Sequence, residues 1–87
     1  MRIWKFPLEV VDLQELRLPP KSKLLTVQMQ YGKPCLWILL DENTAVNVGY
    51  KIAIYGTGNP LPDNPGEYIA TFQMHGDNLV FHVFEVN

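Results

Sequence analysis

The feature that most constrains this chain is a period-two alternation of apolar and polar residues, repeated in short runs separated by turn residues. In the clearest run, residues 24–31, the apolar side chains share one parity: Leu25, Val27, Met29 and Tyr31. This alternation is typical of a β-strand that buries one face and exposes the other. Moreover, no segment combines a helix cap with a full apolar stripe. The chain is therefore predicted to fold from strands and turns.

Other segments bring the predicted number of strands to six or seven. Four of them have one apolar face or a short mixed pattern: 4–10, 13–18, 50–55 and 68–74. Two others, 35–40 and 79–84, are apolar on both faces, so each needs a covering layer on both sides. For 13–18 a helical turn is the alternative, although six residues are too few for a stable helix. We predict one all-β domain over residues 1–87, a compact antiparallel β-sandwich or barrel-like domain of six to seven short strands.

Turn residues predict which strands form hairpins, and the alternation of side chains predicts which residues share a face. Tyr31-Gly32-Lys33-Pro34 and His75-Gly76-Asp77-Asn78 each join two strands closely, which predicts two hairpins. Pro7 cannot donate a ladder hydrogen bond, so the first strand is expected at a sheet edge or broken there. In the segment 68–74, simple alternation places Tyr68 on the same face as Phe72 and places Thr71 on the opposite face.

The small size of the chain indicates that association with a second subunit stabilises the fold. A chain of 87 residues buries only about 60–65% of its unfolded surface, so its margin of stability is thin. It has one cysteine and therefore no internal disulfide. Oligomerisation is the remaining common way to stabilise so small a domain.

No segment of the sequence is typical of a membrane span or of a signal peptide. The longest apolar run, 35–40, is far too short to span a bilayer, and the amino terminus lacks the apolar core of a signal peptide. We therefore expect a cytoplasmic protein without a membrane partner.

One loop differs from the other connections. The segment 55–66 holds three of the six glycines and three of the seven prolines. Because proline fixes φ, such a loop loses little conformational entropy when it orders. It is interpreted either as a preformed contact for a ligand or partner, or as a rigid crossover that covers one end of the sheets. The predicted ligand- or partner-binding residues are Tyr55, Gly56, Thr57, Gly58, Asn59, Leu61 and Tyr68.

The strands that are apolar on both faces predict a second surface. If Trp37 and Phe81 fill the core, the neighbouring apolar side chains face outward and need cover. We expect a homo-oligomer through this face; the alternative is a sandwich that buries both faces within one chain. The predicted interface residues are Ile38, Val80, His82 and Phe84.

The inventory of reactive groups argues against several functions. Gly56-Thr57-Gly58 lacks the spacing and the following helix of a phosphate-binding loop, because Pro60 and Pro62 come next. One cysteine and two histidines without paired spacing make no zinc site. Seven basic residues, with a net charge of −2, supply no track for nucleic acid. We therefore predict no catalytic residue, no metal, no cofactor and no nucleic-acid partner.

Several short motifs together suggest a relationship. They are Ile3-Trp4-Lys5-Phe6, Pro34-Cys35-Leu36-Trp37, Tyr55-Gly56-Thr57-Gly58, Pro65-Gly66-Glu67-Tyr68-Ile69 with Thr71-Phe72-Gln73, and Leu79-Val80-Phe81-His82-Val83-Phe84-Glu85. In combination they resemble a small family of bacteriophage-encoded proteins of unknown function, over nearly the whole chain. The resemblance implies a phage or prophage origin and expression in a bacterial cytoplasm. It brings no established activity or catalytic residue.

The functional hypothesis follows from the rigid loop, the apolar strand faces and the lack of a catalytic set. We expect a non-enzymatic binding protein that inhibits a host or anti-phage defence component by direct binding. The main alternative is an oligomeric sponge that sequesters a nucleotide signal. A small hydrolase and a structural role in the phage particle are further alternatives.

Overall fold

The computed structural model describes residues 1–76 and 78–86, and in this part of the chain there are seven β-strands and no helix. Antiparallel pairing is the only kind of strand pairing among these residues. The strands are β1 (Arg2–Pro7), β2 (Leu13–Leu18), β3 (Lys23–Gln30), β4 (Lys33–Leu40), β5 (Val48–Gly56), β6 (Glu67–Met74) and β7 (Leu79–Val86). The all-β prediction is confirmed, at the upper end of the predicted strand count.

The strands form two sheets that pack as a sandwich. A three-stranded sheet has the order β1-β4-β3, and a four-stranded sheet has the order β2-β5-β7-β6. The sheets do not close into a barrel. The molecule measures 40 × 32 × 16 Å, and its thin dimension fits two layers about 10 Å apart. Strand β1, which contains Pro7, lies at a sheet edge as predicted.

The two predicted hairpins join strands that pair with each other. Tyr31 and Gly32 have φ values of 51° and 79°, and they join β3 to β4. His75 and Gly76 have φ values of 54° and 64°, and they follow β6. In the two-residue loop between Gln30 and Lys33, two successive residues with positive φ are typical of the type I′ turn, whose twist matches that of the flanking strands. The second loop is longer, because Met74 pairs with Leu79, and the N–H of Asn78 donates to the carbonyl of His75. Asp77, which belongs to the second predicted hairpin, lies outside the described residues.

The core lies between the sheets and includes Ile38, which corrects one prediction. Leu36 and Ile38 have no exposed surface, and they point inward from the central strand β4. Trp37 lies on the opposite, outer face and is half-buried. The parity of a strand that is apolar on both faces cannot be read from its own sequence. Here it is set by pairing, because Leu36 lies opposite the buried Val27. Ile38 therefore cannot belong to an oligomer interface.

On β7 the predicted parity is correct, and this strand positions the candidate site. Val83 is fully buried, and Phe81 packs against the same core. Successive side chains of a strand alternate between faces. Val80, His82 and Phe84 therefore project from the outer face of the four-stranded sheet.

The loop after β5 is a crossover connection. Both β5 and β6 are antiparallel to β7 and flank it, so they are parallel to each other. Loop residues Asn59 and Pro60 line a depression together with Leu13, Ala53 and Tyr55. The loop therefore runs beside the outer face from which His82 and Phe84 project.

Candidate binding surface

Three aromatic rings from three strands meet on the outer face of the four-stranded sheet. The rings of Tyr55 and Phe84 lie 5.8 Å apart at 69°, and those of Tyr68 and Phe84 lie 5.7 Å apart at 71°. These edge-to-face geometries are the ones that aromatic pairs favour. Phe84 is therefore the centre of the cluster. Tyr68 is the more exposed of the two tyrosines, with 57% of its surface accessible, whereas Tyr55 is half-buried.

A chain of side-chain hydrogen bonds runs beside these rings. Nε2 of His82 lies 2.7 Å from Oγ1 of Thr57, and Nδ1 of His82 lies 3.0 Å from Oγ1 of Thr71. Oγ1 of Thr71 lies 2.8 Å from the hydroxyl of Tyr68. We call the six residues Tyr55, Thr57, Tyr68, Thr71, His82 and Phe84 the aromatic face.

The backbone ties the start of the loop to this face. The N–H of Thr57 donates to the carbonyl of Val80 at 3.0 Å, and the Thr57 hydroxyl lies 3.2 Å from the same oxygen. The N–H of Asn59 then donates to the carbonyl of Gly56 at 3.1 Å, which closes a turn. Gly58 within this turn has a φ of 91°, a value that glycine adopts without the steric cost of a Cβ. The loop therefore leaves the sheet in a defined direction.

Asn59 separates two shallow depressions of about 500 Å³ each. The first lies on the outer face above Ala53 and is lined by Asp12, Leu13, Ala53, Ile54, Tyr55, Asn59, Pro60 and Val86. The second lies at the end of the sheet and is lined by Gly56, Thr57, Asn59, Asn78, Leu79, Val80 and Phe81. Both depressions are wide open, and the first has the exposed residue Asp12 in its lining. Asn59 is thus the loop side chain that shapes both depressions beside the aromatic face.

The structure unites two residue sets that the sequence predicted separately. Tyr55, Thr57 and Tyr68 from the predicted binding set contact His82 or Phe84 from the predicted interface set. The remaining predicted residues occupy other places. Gly56 and Gly58 shape the turn, Asn59 stands between the depressions, Val80 supplies the carbonyl that anchors Thr57, and Leu61 is exposed further along the loop.

Thr71 is a member of the aromatic face that the sequence prediction missed. Simple alternation puts Tyr68 and Thr71 on opposite faces of β6. The pairing of β6 with β7 shifts between Tyr68 and Ala70, so Tyr68 lies opposite Phe84 while Thr71 lies opposite His82. A β-bulge inserts one extra residue and reverses the parity beyond it. The isolated sequence of β6 carries no signal for this shift.

Two carboxylates meet at the far end of the same strand pair. Glu67 lies directly opposite Glu85, and both line a depression with Ser22, Lys23, Leu24, Tyr68 and Ile69. Burial raises the pKa of Glu85 above its ordinary value, and the carboxylate of Glu67 raises this pKa further. This part of the surface beside Tyr68 therefore carries a carboxyl group whose charge is disfavoured in the folded state.

The reactive groups of this surface form one pair of chemical interest. A threonine hydroxyl 2.7 Å from an imidazole nitrogen has the spacing of a nucleophile and its general base. The other nitrogen of His82 faces the hydroxyl of Thr71, whereas a base of this kind is commonly oriented by a carboxylate. Across residues 1–76 and 78–86, no group of three or more His, Cys, Asp or Glu side chains could hold a metal ion.

Comparison with known proteins identifies a family. A family described as "Domain of unknown function (DUF7352)" matches the chain over residues 1–87. The chain belongs to this family. No curated protein and no solved structure matches the DUF7352 chain. Within the described part of the chain there is also no helix long and apolar enough to cross a membrane.

Proposed function

We propose that this DUF7352 protein is a non-enzymatic binding protein that contacts a protein partner through the aromatic face and the adjoining loop. One observation carries the proposal. Residues predicted as a binding loop and residues predicted as an exposed strand face form a single contacting surface. Two independent sequence signals, loop rigidity and an apolar outer strand face, therefore point to the same place.

The chemistry of the aromatic face suits an interface. Tyrosine and phenylalanine supply large, rigid contact areas and are enriched where proteins meet. The polar groups of Thr57, Thr71 and His82 are already bonded to one another. A buried polar group without a partner is costly, and a bonded one is much less so. A partner can therefore dehydrate this face without leaving these groups unpaired.

The proposal also specifies the kind of partner. The resemblance to phage-encoded proteins supports expression in a bacterial cytoplasm and inhibition of a host or defence component by direct binding. A nucleotide sponge is the less favoured alternative, because Asp12 lines the depression beside Tyr55, and its negative charge would repel phosphate. A protein partner with a complementary apolar surface fits this face better.

A capture experiment with matched variants tests the proposal. The test variant carries Thr57→Ala, Asn59→Ala and Leu61→Ala. The control variant carries the same kinds of change on β3, in the other sheet: Leu25→Ala, Thr26→Ala and Gln28→Ala. Immobilised wild-type protein and both variants are incubated with bacterial lysate. The captured protein is then purified, and its affinity for each variant is measured by calorimetry.

The expected result is at least a tenfold loss of affinity for the loop variant, with a nearly unchanged melting transition, and wild-type affinity for the control. Equal affinity of all three proteins would reject the loop and its face as the contact. A thermal-shift panel of nucleotides on the purified protein is the second arm. A rise of several degrees with one nucleotide would favour the sponge, because a ligand that binds only the folded state stabilises it by mass action.

The Thr57–His82 pair favours one other function, that of a small hydrolase. In that function Nε2 of His82 must accept the Thr57 proton. A panel of ester and phosphoester substrates tests this, with Thr57→Ala as the control that removes the hydroxyl. Turnover by the wild-type protein that this substitution abolishes would replace the binding proposal.

Self-association is proposed through the same surface. Val80, His82 and Phe84 face outward as the interface prediction requires, but they adjoin the loop set. A second copy and a protein partner would therefore compete for one face. Light scattering after size exclusion gives the mass of the protein alone and with its partner. We expect a dimer that the partner dissociates. A monomer at all concentrations would remove the oligomer from the proposal.

A further inference from the structure

The hydrogen-bond chain of the aromatic face has two self-consistent arrangements, and they differ in where one proton of His82 resides. A neutral imidazole carries a hydrogen on one nitrogen and a lone pair on the other. Each threonine or tyrosine hydroxyl has one hydrogen to donate. The state of His82 therefore fixes the direction of every hydroxyl from Thr57 to Tyr68.

In the first arrangement the hydrogen is on Nε2. This N–H donates to Oγ1 of Thr57, and the Thr57 hydroxyl donates to the carbonyl oxygen of Val80. Nδ1 then accepts from the hydroxyl of Thr71, which accepts in turn from the hydroxyl of Tyr68. All four contacts are made, and every hydroxyl hydrogen is used within the protein.

In the second arrangement the hydrogen is on Nδ1, and every direction reverses. The Thr57 hydroxyl must donate to Nε2, so it no longer donates to the carbonyl of Val80. Thr71 then accepts from Nδ1 and donates to Tyr68, whose own hydrogen points to solvent. Only three internal bonds remain. One net hydrogen bond corresponds to populations that differ roughly two- to twelvefold.

We infer that His82 adopts the Nε2–H form and is a positioning residue that makes the exposed hydroxyl of Tyr68 a hydrogen-bond acceptor for the partner. With its hydrogen committed to Thr71, the Tyr68 oxygen offers only lone pairs to the outside. The partner group that meets it is then a donor, such as a backbone N–H or the side chain of arginine or lysine. This consequence rests on the proposed function, whereas the form of His82 is a property of the protein alone.

The form of His82 is read directly from the nitrogen chemical shifts of its ring. Two-bond nitrogen–proton correlation spectra are recorded on the partner-free protein at alkaline pH, where imidazole is neutral. The expected nitrogen shifts place most of the hydrogen on Nε2. Shifts that place most of it on Nδ1, or equal shares on the two nitrogens, would overturn the inference. This outcome leaves the capture experiment intact, so the two proposals fail separately.

Variants of the two threonines separate positioning from mere packing. Thr57→Val removes the acceptor of the Nε2–H and should move the population toward the Nδ1–H form. Thr57→Ser keeps the hydroxyl and should restore the wild-type spectrum. Thr71→Val removes the acceptor that the Nδ1–H form needs, so it should retain the Nε2–H form. Unchanged nitrogen shifts in Thr57→Val would show that the chain does not set the form of His82.

Discussion

Glu67 lies directly opposite Glu85 in the pairing of β6 with β7, so two carboxylates face each other beside the aromatic face. Like charges opposite each other in a sheet destabilise it. Burial raises the pKa of Glu85 above its ordinary value, and the carboxylate of Glu67 raises it further. Stability depends on pH as a consequence.

The first prediction concerns the sign of that dependence. Because the pKa of Glu85 is higher in the folded than in the unfolded protein, the folded state binds more protons in the window above about 4.5. The free energy of unfolding therefore falls as pH rises through that window. Glu67→Gln should reduce the fall and stabilise the protein at neutral pH by about 0.2–1 kcal/mol.

Denaturant unfolding at a series of pH values measures this effect. Glu15→Gln is the matched control, since Glu15 lies opposite Lys51 in the pairing of β2 with β5. That substitution removes an attraction, so it should be neutral or slightly destabilising at neutral pH. A Glu67→Gln variant with the stability and pH profile of wild type would contradict the repulsion.

The second prediction concerns Gly66, which ends the long loop. Its φ is 101°, and a Cβ there would lie 2.1 Å from the carbonyl oxygen of Glu85. The Gly66→Ala substitution combines backbone strain with a clash against main chain, and should cost at least about 1–3 kcal/mol. Gly32→Ala is the control, because Gly32 has a similar positive φ with no atom near its Cβ position. Thermal unfolding should rank Gly66→Ala well below Gly32→Ala, and equal melting temperatures would refute the clash.

The third prediction tests the position of Ile38 in the core. Ile38→Ala should destabilise the protein by about 2–5 kcal/mol and Ile38→Val by about 0.5–1.5 kcal/mol, because both leave a cavity. Ile3→Ala on the edge strand is the control, since Ile3 is 62% exposed, and it should change stability by no more than about 0.5 kcal/mol. Urea unfolding measures all three. A small effect of Ile38→Ala would show that this side chain is not buried in the core.

The fourth prediction concerns the aromatic cluster. A double-mutant cycle with Tyr68→Leu and Phe84→Leu should give a coupling of about 0.5–1.5 kcal/mol, as expected for an edge-to-face pair. The matched cycle pairs Tyr68→Leu with Phe72→Leu. Phe72 stacks on Phe81 from the inner face of the sheet, so its cycle with Tyr68 should be close to additive. A coupling near zero for Tyr68 and Phe84 would show that the rings do not interact in solution.

The DUF7352 sequence by itself determined the strands and the two hairpins. These are local properties, since alternation, turn residues and positive φ at Gly32 and Gly76 act over a few residues. The stiffness of the loop 55–66 is equally local. The residues of that loop and of β7 could therefore be named before their contacts were known.

Only the tertiary structure decided the parity of β4 and the joining of the two predicted surfaces. Ile38 and Trp37 are both apolar, so their own strand does not state which one faces the core. The pairing of Leu36 with the buried Val27 does, because Ile38 shares the face of Leu36. Likewise, the bulge in β6 turns Tyr68 and Thr71 to one face. The placement of β7 between β5 and β6 then brings His82 between two hydroxyls. Register and strand order depend on contacts between residues far apart in the chain, and a single sequence carries no local signal for such contacts.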